Sequence, residues 1–263
     1  KKLGVVGGTQ RCHQDHYIEI MKRIHDGAIG EIVSGQVYWI GDFGYYMPPR
    51  RRSACSDMEW QIRNWNYYVW LSGDHIVEQH VHNLDVMCWV MGEMPVKCLG
   101  MGGRQQRVGP EYGHIYDHFA VEFEFPNGAR ITSLSRQMDQ TSHRVSESFV
   151  GTLGKSYTDQ GGNGWLSGPN EYRFDVPNAP NPYVQEHTHL IASIRAGEPL
   201  MEAETIALST MTGVLGRISA YTGRELNWSW GMNASQLDLF PEKLEFGPMP
   251  EVTVPIPGQV ELV

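Results

Sequence analysis

The sequence predicts an α+β fold built on a mostly antiparallel sheet, for three reasons. Residues 118–125 alternate, with Phe119, Val121, Phe123 and Phe125 on one face; Pro126-Asn127-Gly128 then turns the chain into a partner strand over 129–137. Apolar residues at helical spacing mark 12–26, 73–92, 182–196 and 202–221. The order is helix, strand, helices, a strand-rich middle, then two helices, so the two classes are segregated rather than interleaved.

Residues 3–8 read as a short strand ending in glycines. A helix follows over 12–26, with Tyr17, Ile20, Met21 and Ile24 on its apolar face and Gly27 as its stop. Residues 32–40 read as a strand with Val33, Gly35, Val37 and Trp39 on one face. Residues 41–57 read as loop and carry Pro48-Pro49 and the single basic run, Arg50-Arg51-Arg52. Residues 59–71 are aromatic-rich, with Trp60, Trp65, Tyr67, Tyr68 and Trp70 around Arg63 and Asn64. A continuous helix is expected over 73–92, closed by Gly92 and Pro95. Strands follow at 96–101, 118–125, 129–137 and 144–151, with shorter pieces at 155–157 and 172–174. The first closing helix starts on Pro182, whose missing N–H costs nothing there, and ends at Gly197. The second, ending at Gly223, is expected to pack through Ile206, Met211, Val214, Leu215 and Ile218. The tail after Asn227 is Pro-rich and is expected to wrap the surface.

At 263 residues the chain can bury a sizeable core. A net charge of −9 leaves no excess of Lys and Arg to meet phosphates, which argues against nucleic-acid and membrane-surface partners. No apolar run reaches the about 18 residues a membrane span needs. Cys12, Cys55, Cys88 and Cys98 are too far apart for a C-x-x-C site and read as free thiols.

The chemistry concentrates in the 73–92 helix. Taking Glu78 as zero and about 100° per residue, His75 falls near 60°, His82 near 40° and Asp85 near −20°. Ile76, Val77, Val81, Leu84, Met87, Cys88 and Met91 occupy the opposite arc. Two carboxylates and two imidazoles therefore share one narrow face, which is expected to line a cleft. Glu78 stands one turn before His82 and is placed to orient the imidazole and raise its pKa. The alternative is a structural, hydrogen-bonded histidine. His80 falls inside the apolar arc and is expected to pack against the sheet, which weakens a zinc reading of His80-Val81-His82. A metal held by His75, Glu78 and His82 stays open. Arg63 with Trp60, Trp65 and Trp70 has the makings of a sugar-binding cleft, against the alternative that the tryptophans fill the core. Tyr116-Asp117-His118 and His187-Thr188-His189 are further polar clusters. No G-x-G-x-x-G turn between strand and helix, P-loop, G-x-S-x-G or H-E-x-x-H is present.

Several stretches together resemble the C-terminal part of the glucose–fructose oxidoreductase / inositol dehydrogenase / MocA family. Gly4-Val5-Val6-Gly7-Gly8-Thr9-Gln10-Arg11 is similar to the last strand of that family's nucleotide-binding domain and the turn after it. Ile24-His25-Asp26-Gly27-Ala28-Ile29-Gly30-Glu31-Ile32 resembles its crossover into the second domain. Ser72-Gly73 through His82-Asn83-Leu84-Asp85 resembles its D-x-x-x-H-x-x-D helix, and Glu186 to Gly197 its penultimate helix.

The resemblance implies an open sheet with helices packed on one face, as in the C-terminal domain of glyceraldehyde-3-phosphate dehydrogenase. Residues 1–11 would be the last strand of a truncated dinucleotide-binding domain, and 12–263 the substrate-binding and oligomerisation domain. The implied function is the substrate part of an NAD- or NADP-dependent oxidoreductase acting on a sugar, polyol or sugar derivative. His82 would relay the hydroxyl proton, aided by Glu78, which stands where the family more often has Asp. Arg11, Arg63, Trp65, Asp85, Tyr116, Asp117 and His187 are the candidate substrate contacts, with Gln10 and Arg11 on the cofactor side. The family's glycine-rich turn and Glu-Lys-Pro segment have no counterpart in this chain, so no cofactor is expected to bind the chain alone. A sugar-like ligand and a homo-oligomer through the open sheet face are the implied partners. The implied setting is a bacterial cytoplasm, or the periplasm if a leader precedes the chain. The competing readings are a non-catalytic carbohydrate-binding or oligomeric remnant and a metal-dependent lyase or hydrolase built on the same helix stripe.

Overall fold

The computed structural model describes residues 3–41, 52 and 54–263. Pro48, Pro49, Arg50 and Arg51 lie outside the described residues. Helix α1 (Asp15–His25) follows a 3-10 turn, Gln10–His13. The expected helix from residue 12 starts later because Gln14 is extended, at φ −100° and ψ 120°. Its predicted face is buried: Tyr17, Ile20, Met21 and Ile24. Residues 3–8 do not join the sheet. Val5 makes an isolated parallel bridge with Met201.

Strand β1 (Ile32–Gly41) is central. Helices α2 (Asp57–Arg63), α3 (Val69–Ser72), α4 (His75–Glu78) and α5 (Val81–Met91) come next, with a 3-10 turn at Trp65–Tyr67. The meander contributes β2 (Lys97–Gly103), β3 (His118–Glu124), β4 (Arg130–Gln137), β5 (Arg144–Gly151), β6 (Lys155–Asp159), β7 (Gly164–Ser167) and β8 (Tyr172–Arg173). Helices α6 (Pro182–Ala196) and α7 (Ala203–Thr222) follow, then β9 (Leu226–Asn227) and α8 (Trp228–Asn233). Strands β7 and β9 and helix α8 were not expected.

The sheet order is β8-β7-β6-β5-β1-β4-β3-β2-β9. Only β1–β4 is parallel. Val33 was expected on the buried face of β1 but is exposed. The register against β5 slips between Ile32 and Ser34, and a slip of one residue turns a side chain to the other face. The β3–β4 turn also differs from a two-residue Asn-Gly hairpin. Gly128 N donates to Phe125 O at 2.9 Å, so Pro126 and Asn127 are the central pair and Gly128 follows at φ +84°.

One face of the sheet carries Val37, Phe119, Val121, Phe123, Ile131 and Phe149, all buried under helices. Helix α7 lies close on β2: a Cβ on Gly100 would stand 2.9 Å from Gly216 O and Ala220 N. The face of α7 turned inward is mostly small, including Ser209, Thr212, Gly213, Gly216, Ser219 and Ala220. Of the residues expected to pack it, Leu215 and Ile218 are buried, whereas Ile206, Met211 and Val214 are only half-buried. Among the described residues no helix covers the opposite sheet face, which exposes Leu99 and Met101. Helix α6 has no buried residue and rests against the Gln10–His13 turn. The tail wraps as expected: Gly247 O accepts from Met58 N and Pro255 O from the Tyr116 hydroxyl. All four cysteines are free.

Candidate functional site

The expected continuous helix over 73–92 is broken after Glu78. Gly73 ends α3 at φ +74°, and a Cβ there would meet Val77 Cγ1 at 2.7 Å, so a side chain fits neither the backbone nor the space. Asp74 follows at φ +73°, a conformation that non-glycine residues rarely hold and that costs about 1–3 kcal/mol. It is over-determined: its carboxylate accepts from His75 N at 2.5 Å, from Tyr116 N at 2.9 Å and from the Tyr221 hydroxyl. Burial pushes the Asp74 carboxyl up to about 6 against those hydrogen bonds.

Helix α4 is one turn long. His80 N then reaches back to His75 O, and His80 O accepts from Asn83 N and Leu84 N, starting α5. The break re-aims the stripe. His75 is fully buried with its ring edge-on to Trp39, 5.0 Å between centroids, and burial drives its pKa well below the usual range. It does not share a ligand set with Glu78 and His82. Among the described residues no three His, Cys, Asp or Glu side chains could hold a metal ion. His80 packs against the sheet, as its place in the apolar arc requires, with Nε2 2.7 Å from Ser133 Oγ on β4. Burial, then Arg11, pushes it down to about 3.

His82 remains half-buried at the start of α5, its Nδ1 buried without a hydrogen-bond partner. Burial, then Arg11, pushes its pKa down to about 4. The expectation that Glu78 raises it is overturned. Taking His82 out of water penalises the cation, and the nearby guanidinium adds like-charge repulsion. The imidazole is therefore neutral at pH 7 and can accept a proton. Glu78 is half-buried at the end of α4, where Oε1 accepts from Gln79 Nε2 at 3.1 Å.

Beneath His82 lies a buried network. Glu147 on β5 is fully buried and accepts from Arg11 Nη1 at 2.7 Å, Asn83 Nδ2 at 2.6 Å, and the Tyr17 and Thr158 hydroxyls at 2.8 Å each. Arg11, expected to meet substrate or cofactor, is itself buried and holds Glu147 in an ion pair. Asp85 is buried too, taking Ser209 Oγ at 2.6 Å and Cys12 Sγ at 3.2 Å; it ties α5 to α7 and to the Gln10–His13 turn. Burial raises its pKa. A cavity of about 420 Å³ runs beside it, lined by Thr9, Cys12, Asp85 and Glu202 among others.

The remaining candidates scatter. Gln10 Nε2 reaches the Tyr183 hydroxyl at 3.4 Å on α6. Arg63 is exposed and pairs with Glu59 one turn earlier at 2.8 Å. Trp60 is core, donating to the Tyr68 hydroxyl, and Trp70 donates to Gln61. Trp65 is half-buried in its 3-10 turn. Tyr116 is buried against Phe119 and Tyr221. Asp117 is buried and accepts from the backbone of Gln105, Gln106 and Arg107 and from His118. His187 is exposed on α6, with Nδ1 on Tyr183 O. The structure thus gathers His82, Arg11 and Asp85 around the start of α5, with Gln10 on the neighbouring turn, and leaves Arg63, Tyr116, Asp117 and His187 engaged elsewhere.

Sequence reasoning missed Glu147, whose signal was there: it is the one charged residue on the inward alternation Val145, Glu147, Phe149. It also missed a chain of three groups, Glu202 Oε1 3.1 Å from His13 Nε2, and His13 Nδ1 2.9 Å from His189 Nδ1. Nothing local announces that chain, because its members come from three segments.

Comparison with known proteins agrees with the fold. The sequence model of the GFO/IDH/MocA C-terminal domain matches residues 17–156. The 2,7-anhydro-N-acetylneuraminate hydratase of Escherichia coli is 28% identical over 111 residues, 42% of this chain and 26% of that protein. Aldose-aldose oxidoreductase from Caulobacter crescentus, solved with glycerol, superposes with a TM-score of 0.69 at 19% identity, covering 85% of this chain and 64% of that one. Levoglucosan dehydrogenase, solved with NADH and levoglucosan, gives 0.68 at 13% identity, over 86% and 67%. At such identities these structures show a shared fold. The chain spans about a quarter of the hydratase and under two thirds of the Caulobacter protein.

Proposed function

The chain belongs to the GFO/IDH/MocA C-terminal domain family, and from that premise we propose that it is the substrate-binding part of an NAD- or NADP-dependent oxidoreductase acting on a sugar, polyol or sugar derivative. The observation that carries the reading is the half-buried His82 at the start of α5, next to Asn83, which bonds the Glu147 carboxylate of the Arg11–Glu147 pair. In this reading His82 takes the proton of a substrate hydroxyl. Arg11, near enough to depress His82, favours the oxygen's developing negative charge. Glu78, half-buried at the end of α4, is the second candidate in this reading. Glycerol and levoglucosan in the related structures support a polyhydroxy ligand.

The residues present do not fit a nicotinamide dinucleotide by themselves. The strand-to-helix glycine turn that would cradle its phosphates is missing, and the Arg11 guanidinium is engaged with Glu147. The cofactor would be held by the share of the relatives' length that this chain does not span, with residues 1–11 leading out of that part and 12–263 forming the substrate domain. In this reading a homo-oligomer forms through the sheet face that exposes Leu99 and Met101. A second reading, addition or loss of water at a sugar derivative, is favoured by the likeness to the hydratase.

The test uses the full-length polypeptide that contains this chain, assayed with NAD and NADP against a panel of sugars and polyols. His82→Ala is expected to lower kcat by about 10²–10⁴-fold with the fold retained. Turnover unchanged in that variant sinks the role of His82. Substrate conversion without change in the nicotinamide supports the second reading instead.

A further inference from the structure

A second cavity, of about 180 Å³, lies between α7, Val69 of α3, His114 and the C-terminal tail. Its walls are largely apolar, with Leu237, Leu239 and Val260 from the tail facing Ile218. One lining group is out of keeping with those walls. Arg217 is only 4% exposed, yet its guanidinium borders the cavity.

A guanidinium stays charged in a protein and carries five N–H donors. Among the described residues Arg217 makes one hydrogen bond, from Nη1 to Gly73 O at 3.1 Å, and no ion pair. Asp74 acts on it through space, but the oxygens of Asp74 are engaged by His75 N, Tyr116 N and the Tyr221 hydroxyl. His114 shares the lining, and its Nδ1 is buried without a partner. Glu261 also borders the cavity and forms no ion pair with Arg217. Asp74 compensates the charge only through space, and beyond the bond to Gly73 O the guanidinium donors have no acceptor among the described residues, so the site favours a ligand that brings one.

We propose that this cavity binds a small monocarboxylate, its carboxylate on Arg217 and its hydrocarbon chain along Leu237, Leu239 and Val260. A cavity of about 180 Å³ has room for a small ligand, on the order of six to eight heavy atoms. A neutral apolar ligand leaves the guanidinium unpaired. Inorganic phosphate finds a single arginine and walls that cannot hydrogen-bond its remaining oxygens. The site is separate from the α4–α5 histidines, although Arg217 holds the carbonyl of Gly73, the residue that leads into α4 through Asp74.

The test is an amide NMR titration of the full-length polypeptide that contains this chain with sodium hexanoate, hexanol and sodium phosphate at constant ionic strength. Hexanoate is expected to saturate with a Kd on the order of 1 mM, shifting α7 and tail amides. Hexanol is expected to bind at least tenfold more weakly, and phosphate not at all. Arg217→Met is expected to weaken hexanoate at least tenfold. That variant also removes the Gly73 contact, so Leu239→Trp, which fills the cavity from the exposed tail and leaves Arg217 in place, is the fold-preserving control. It is expected to abolish hexanoate binding with an otherwise unchanged spectrum. Failure of hexanoate to saturate, equal binding of hexanol and hexanoate, phosphate binding at these residues, or undiminished binding by Leu239→Trp each overturns the assignment.

Discussion

Replacing Arg11 by Met tests the network under His82. Glu147 is fully buried and takes four hydrogen bonds, at 2.7 Å from Arg11, 2.6 Å from Asn83 and 2.8 Å each from Tyr17 and Thr158. Only Arg11 brings a positive charge. Without it the carboxylate keeps three neutral donors and no counter-ion, and breaking a buried pair in this way costs about 3–5 kcal/mol. The loss is capped because the carboxyl can take a proton instead, at about 1.4 kcal/mol per unit of pKa. Burial already pushes the Glu147 pKa up, and loss of Arg11, which opposes that, pushes it further. A carboxyl whose folded pKa is raised loses stability as pH rises from the unfolded value through the folded one. The deficit of Arg11→Met is therefore smaller at pH 5 than at pH 8. Urea unfolding followed by tryptophan fluorescence measures it as a shift in midpoint at constant slope. At pH 8 the expected deficit is about 3–5 kcal/mol, and the double variant Arg11→Met/Glu147→Gln recovers about 2 kcal/mol of it because no charge is left stranded. A deficit under about 1 kcal/mol at pH 8, or a double variant no more stable than the single one, refutes the argument.

Three further outcomes are expected. His82 and His80, held down to about 4 and about 3 against an ordinary 6.5, contribute stability above pH 6.5 that is lost as pH falls through their folded values. Thermal midpoints should therefore drop between pH 6.5 and 4, less steeply in His82→Gln; an His82 ring resonance titrating near 6.5 contradicts this. Gly73→Ala combines φ +74° with a 2.7 Å contact on Val77. It should cost about 1–3 kcal/mol in denaturant midpoint, where an unchanged midpoint contradicts the geometry. Ser209→Ala strips the 2.6 Å donor from buried Asp85 and should cost about 1–3 kcal/mol, most at high pH where the carboxyl is ionised. A pH-independent loss would mean that Asp85 does not titrate in the range measured.

Much of the fold was legible because its causes are local. The inward face of α1 follows from four apolar residues at helical spacing, and α6 runs from Pro182 to a left-handed Gly197, the bounds its Pro and Gly dictate. The alternation of β3 and β4 made them partners, and the angle of His80 sent it to the sheet. The family followed from several short patterns in order, of which residues 24–32 and 72–85 lie in the region that the family model matches.

The site was only partly legible. Helical periodicity assumes an unbroken helix, and the strained Asp74 with the reversal at His80 breaks it, so His75 left the stripe for the core. Asp85 looked like a cleft residue because its angle matches that of His82, but Ser209, 124 residues away, claims it. Arg11 looked free to meet a ligand until Glu147, 136 residues on, closed over it. Periodicity reports which way a side chain leaves its own element. Which carboxylate, hydroxyl or guanidinium then meets it depends on sheet order and helix approach, and those bring together groups that no local spacing relates. The sequence alone determined most of the elements and the family, and it singled out the stretch around His82 as the candidate site. The tertiary structure alone decided that burial and Arg11 push the His82 pKa down, that Arg11 and Asp85 are buried supports, and that Arg217 borders a cavity with a single hydrogen bond among the described residues.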